Sequence, residues 1–184
     1  MFFDLLKDDM SAKFVTFVRH AESSSFGFYD GKKTYLDPPL TLAGQDEASQ
    51  LSLVADYVII SPLQRARETF ALSAVISEER APTIDFLFRE YRDRLEDFLH
   101  GEPILRETRS NLSERARLAI EYLKRLPFGH VCVITHRQFL EELMRFASTR
   151  QSPFKYAESR TFRWIDSSND IKALSSDHLF IRVF

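Results

Sequence analysis

Short apolar runs alternate along the chain with longer stretches whose apolar positions recur at helical spacing. Phe14–Arg19 (FVTFVR), Tyr57–Ile60 (YVII) and His130–Thr135 (HVCVIT) are brief and rich in β-branched and aromatic residues, which predicts buried strands. Residues 41–54 follow Pro38-Pro39 and open on Thr41, whose hydroxyl can cap a helix. Residues 62–76 carry Pro62 in the first turn, where its missing N–H is no loss. Residues 110–126 space Leu112, Ala116, Ala119, Ile120 and Leu123 along one helical face, and 138–147 read as a further helix. Strands are expected at 161–165 and 179–184. Residues 20–40 and 88–109 look irregular or weakly helical.

Strands that alternate with helices imply a three-layer α/β/α sandwich around a mostly parallel sheet. With 184 residues, 44% of them hydrophobic, the chain suits one domain over 1–184. Acids at Asp4, Asp8 and Asp9 interrupt the N-terminal apolar residues, so no secretory signal is read there. No run approaches the roughly 20 apolar residues of a membrane span. A cytoplasmic location without membrane association is therefore expected. The net charge of −2 speaks against a nucleic-acid partner. The one cysteine, Cys132, lies inside an apolar run and reads as a small buried hydrophobe.

Sites in such sheets lie beyond the carboxyl ends of the strands. That rule selects Arg19-His20, Ser61-Pro62 and Thr135-His136, each directly after an apolar run. A phosphate monoester needs charge neutralisation, alignment and a nucleophile. Arg19 and Arg65 offer planar, permanently charged forks that match phosphate oxygens. His20 and His136 each offer an imidazole that can attack phosphorus or, when protonated, stabilise its oxygens. Glu90 and Glu22 are candidate donors for the leaving oxygen, provided their surroundings disfavour ionisation. No His-Glu-x-x-His or paired cysteines suggest a metal site.

Several motifs in the same order resemble the histidine phosphatase superfamily, the phosphoglycerate-mutase-like group. Phe17-Val18-Arg19-His20-Ala21-Glu22-Ser23 is similar to its Arg-His-Gly-Glu-Thr signature. Leu40-Thr41-Leu42-Ala43-Gly44 is similar to its Leu-Thr-x-x-Gly helix start. Residues 61–69 match its Ser-x-Leu-x-Arg-Ala-x-x-Thr pattern at every defined position. Leu87-Phe88-Arg89-Glu90 resembles the segment with the acid, and Val133-Ile134-Thr135-His136 the strand before the second histidine. The resemblance implies that His20 is the nucleophile and that Arg19 and Arg65 bind phosphoryl oxygens. It makes His136 the completing imidazole and Glu90 the proton donor, with Glu22 in reserve and no metal or cofactor. The expected partner is a small phosphate ester or a phosphoprotein.

Four positions depart from that pattern. Ala21 stands where glycine is usual, and Phe26 where many members have an asparagine that helps bind phosphate. Arg94 falls where glycine commonly follows the acid, and Arg137 where glycine commonly follows the second histidine. Phe26 and Arg137, with Glu22, are candidates for the substrate pocket. Arg137 would favour a multiply phosphorylated or acidic substrate. A weakly active or inactive domain that binds phospho-ligands or proteins is the alternative. A mutase is less favoured, because the stretch from Arg65 to His136 is short for an elaborate lid.

Overall fold

The computed structural model describes residues 13–146, 152–165 and 170–173. The strands β1 (Phe14–Arg19), β5 (Tyr57–Ile60) and β8 (His130–Thr135) have the expected bounds. They lie side by side in parallel, with β8 in the middle, and β7 (Thr83–Ile84) joins the far edge of β5. On the other edge β9 (Ser159–Ile165) runs antiparallel to β1, and β10 (Asp170–Ala173) antiparallel to β9. The stretch 179–184 lies outside the described residues.

The three central strands are buried on both faces, so alternate residues feed two cores. Val15, Phe17, Tyr57, Ile59, Val131 and Val133 pack against α3 (Arg109–Arg125) and α4 (Arg137–Phe146). Val18, Val58, Ile60, Cys132 and Ile134 face the opposite layer, with Leu51, Ala66 and Val75. This is the three-layer arrangement that the alternation of strands and helices predicts. Cys132 is fully buried among apolar neighbours, and burial pushes its thiol up to about 12.

Two expected helices are shorter than their patterns suggest. The first, α1, spans only Leu42–Ser49, and the second, α2, only Gln64–Leu72. Their expected tails are instead β4 (Ser52–Ala55) and β6 (Ala74–Ser77), which pair in parallel, Leu53 with Val75 and Val54 with Ile76. β-branched Val54, Val75 and Ile76 suit this pleated pairing better than a helix end. The residues 27–34 form a hairpin of β2 (Gly27–Tyr29) and β3 (Lys32–Thr34), and 88–108 hold only short 3-10 turns among irregular chain before α3 begins at Arg109.

The start of α1 shows why its motif has the form it does. Thr41 caps the helix by accepting from the Gly44 N–H at 2.9 Å. Gly44 sits against the backbone of Glu22, where a Cβ would fall 2.0 Å from the carbonyl oxygen. Inside a helix, Gly to Ala ordinarily stabilises by about 1 kcal/mol. At this contact the sign reverses. Gly44→Ala should destabilise the protein by about 2–3 kcal/mol, read as a lower denaturant midpoint at unchanged slope.

Candidate active site

The register of the sheet builds the site. Arg19 pairs with Thr135 and Ile60 with Ile134, so β1, β8 and β5 end in line. The His20 N–H donates to the Thr135 carbonyl at 2.9 Å, and the Ser61 N–H to the Ile134 carbonyl at 3.0 Å. The next residues, His20, Ser61 and His136, therefore emerge at one edge. The two imidazoles stand 5.0 Å apart, centroid to centroid. Both are buried.

His20 Nδ1 lies 2.7 Å from the Ala21 carbonyl oxygen. A carbonyl only accepts, so Nδ1 carries the hydrogen and, in the neutral ring, Nε2 keeps its lone pair. His136 Nε2 and the Ser61 hydroxyl share a 2.6 Å hydrogen bond, while His136 Nδ1 is buried without a partner. Burial, and then the positive charge of Arg65, push both imidazoles well below their ordinary value.

Arg65 projects from the first turn of α2 and is almost fully buried. Its Nη1 donates to the Glu96 carbonyl at 2.7 Å and its Nη2 to Asp97 Oδ1 at 2.9 Å. The rest of the 61–69 motif is also explained by position. Ser61 meets His136, and Leu63 and Ala66 fill the core. Thr69 accepts from the Ala21 N–H at 3.0 Å and so ties α2 to the segment after β1.

Arg19 leaves the end of β1 and donates to the Phe154 carbonyl at 2.8 Å, with its guanidinium 3.8 Å above the Tyr156 ring. Glu90 is buried, and three backbone N–H groups hold its carboxylate. Tyr91 and Phe139 donate to Oε1 at 2.9 and 3.0 Å, and Gln138 donates to Oε2 at 3.3 Å. Burial raises its pKa, and these hydrogen bonds together with Arg65 pull the other way.

A cavity of about 130 Å³ opens at this edge. Of the residues singled out in the sequence, Arg19, His20, Arg65, Glu90, Arg94 and Arg137 line it. His136 lies behind His20, in contact with Ser61. Two candidates are not brought there. Glu22 is held away, its Oε1 accepting from the Thr41 hydroxyl at 2.7 Å. Phe26 is half-buried beside Phe28, with the Lys33 ammonium 4.1 Å from its ring centroid. Among the described residues no group of three or more His, Cys, Asp or Glu could hold a metal ion.

No known protein family matches the chain by sequence, and no curated protein does. Among solved structures, an alpha-ribazole phosphatase from Shigella flexneri superposes with a TM-score of 0.64 at 17% identity, over 88% of this chain and 94% of its own. A mycobacterial glucosyl-3-phosphoglycerate phosphatase gives 0.58 at 16%, over 88% and 95%. The product of an open reading frame of Mycobacterium tuberculosis gives 0.62 at 16%, over 88% and 96%. The fold is that of the histidine phosphatases.

On this histidine-phosphatase fold the cavity has further walls that the sequence pattern does not reveal: Ser23, Glu96, Asp97, Gln138 and Tyr156. Glu96 and Asp97 sit in a charge run of mixed sign, the usual mark of a solvated face. Tyr156 precedes β9 with no local signal at all. Since burial and the charge of Arg65 disfavour the protonated form of both imidazoles, proton NMR should show His20 and His136 titrating with midpoints below 6.5.

Proposed function

We propose that this protein is a phosphatase that hydrolyses a phosphate monoester through a phosphohistidine on His20. The observation that carries this reading is the convergence of His20, Arg19 and Arg65 on one strand-end cavity, with the His136 ring 5.0 Å from that of His20 and the lone pair of His20 Nε2 left unprotonated. The phosphatase names of structures that share the fold support it.

In this mechanism the two guanidiniums neutralise and align the phosphoryl oxygens. His20 Nε2 attacks phosphorus, opposite the departing oxygen. Glu90 gives that oxygen a proton, and the fixed charges of the pocket act where negative charge develops. Water then cleaves the N–P bond, with Glu90 accepting its proton. His136, held by Ser61, supports the transferred group. The chemistry of this chain's own side chains suffices for each step.

A second reading keeps the cavity but drops turnover: a domain that only binds phospho-ligands. The engagement of Arg65 by Asp97 favours it, because the carboxylate meets the same guanidinium that a phosphoryl oxygen would.

An aryl phosphate separates the two. The phosphatase reading expects hydrolysis that His20→Ala abolishes, and acid-labile labelled phosphate on the wild-type protein after quenching. Binding without hydrolysis leaves the second reading. Arg65→Ala should lower kcat by about 100-fold or more, roughly 3–4 kcal/mol in the barrier. A loss of only a fewfold would remove Arg65 from the chemistry.

A further inference from the structure

The cavity contains a second buried carboxyl. Asp97 ends the 3-10 turn Leu95–Asp97, is 2% exposed, and meets Arg65 at 2.9 Å, where both side chains are buried. Glu90, buried in the same wall, faces the same guanidinium. Two arginines, Arg19 and Arg65, and two carboxylates, Glu90 and Asp97, therefore balance around a pair of neutral imidazoles. A phosphoryl dianion adds two negative charges to this balanced, poorly solvated group. Charge of one sign in such a place is relieved most easily by a proton.

We propose that Asp97 belongs to the reaction machinery: with Glu90 it forms a carboxyl pair that takes up one proton as the phosphoryl dianion enters and passes it to the departing oxygen. This rests on the phosphoryl-transfer reading above. The proton comes from solvent and adds to a carboxylate oxygen of the pair. As the His20 Nε2 lone pair forms the N–P bond, the P–O ester bond breaks and its electrons go to oxygen, which takes that proton. The pair is again ionised, ready to accept a proton from the water that cleaves the phosphohistidine.

The contacts favour a shared proton over one fixed on Glu90. The three N–H groups on Glu90 favour its charged form. The second oxygen of Asp97 has only the Arg94 N–H at 3.3 Å. Burial pushes Asp97 up to about 7, against the pull of Arg65 and with the repulsion of Glu90 and Glu96 added. Arg89 donates to the Asp97 backbone carbonyl while its fork holds Glu102. Arg94 pairs with Glu96 at the rim, and Arg19, His20, Arg137 and Tyr156 line the remaining walls. The charge of Glu90 disfavours charge on Asp97, so a proton on either carboxyl relieves the other.

Sulfate, a tetrahedral dianion that does not titrate near neutrality, is the probe. Calorimetric titration of the whole chain in buffers of different ionisation heat reads the protons taken up per sulfate. The wild type should take up close to one near pH 8, and its affinity should fall about tenfold per pH unit through the titration of the pair. Asp97→Asn should reduce the uptake to less than half, flatten the pH dependence and bind sulfate at least fivefold more tightly at pH 8. Glu90→Gln should also reduce the uptake, and carries the test if Asp97→Asn melts as an unfolded chain.

Equal uptake in wild type and Asp97→Asn overturns the proposal, as does uptake lost only in His136→Asn, which would place the proton on an imidazole. Sulfate that fails to bind, or that binds unchanged in Arg65→Ala, overturns it too. The phosphatase reading fails by a separate result, the absence of His20-dependent hydrolysis.

Discussion

A permanently charged guanidinium with almost no access to water lines the strand-end cavity, and the surrounding structure depends on it. Arg65 cannot discharge itself, so its burial demands acceptors. The Glu96 carbonyl and the Asp97 carboxylate supply them. The irregular stretch after Glu90 therefore cannot wander; its 3-10 turn is held where Arg65 needs it. The same charge depresses both imidazoles and draws on Glu90 and Asp97. Burial shifts all four groups, and this one side chain lowers each of them further or restrains its rise. Stability and chemistry are coupled there, because a change that frees Arg65 from its acceptors leaves a buried cation without compensation.

A second arginine plays a purely architectural part. Arg115, on α3, donates to the carbonyls of Leu87, Arg89 and Glu90 and grips Glu107 with a two-point ion pair. Its guanidinium also lies 4.5 Å from the Phe139 ring centroid on α4. It substitutes for the ladder of a missing strand, satisfying carbonyls that irregular backbone would otherwise bury unpaired. The Glu90 side chain is in turn held by the N–H groups at the start of α4. An acid carried on a loop is thereby fixed from two helices, with little rotational freedom to lose when a substrate arrives.

The parts of this arrangement that were legible in the sequence are those written in local periodicity. Strands β1, β5 and β8 are apolar on both faces, and that is visible without any partner. The strand-end rule then selects His20, Ser61 and His136, because parallel register makes strand ends coincide. What local pattern could not show was pairing at a distance. Leu53 and Val54 continue a helical spacing until Val75 and Ile76 offer them a ladder. Asp97 looks like one more charge in a solvated run until Arg65, 32 positions earlier, is placed against it. Glu22 fails in the opposite sense. It lies two positions after the nucleophile candidate, yet the Thr41 hydroxyl that caps α1 also donates to its carboxylate.

The departures from the resemblance sort themselves by distance from the imidazole pair. Ala21, where glycine is usual, is fully buried against Thr69 and leaves the His20 ring on its carbonyl. Phe26 packs on the hairpin side, outside the cavity lining. Arg94 and Arg137 do line it, but with side chains 61% and 48% exposed, each leaning on a nearby glutamate at 3.5 Å. Ion pairs so exposed and so long hold little energy and exchange partners readily. The interior of the pocket, where a phosphoryl group would be bound, is therefore closely paired, while its rim is exposed, loosely paired and rich in arginine. Under the proposed phosphatase reading the rim would do the selecting: an ester whose remainder is itself anionic would replace Glu96 or Glu141 on those arginines, and a neutral one would not.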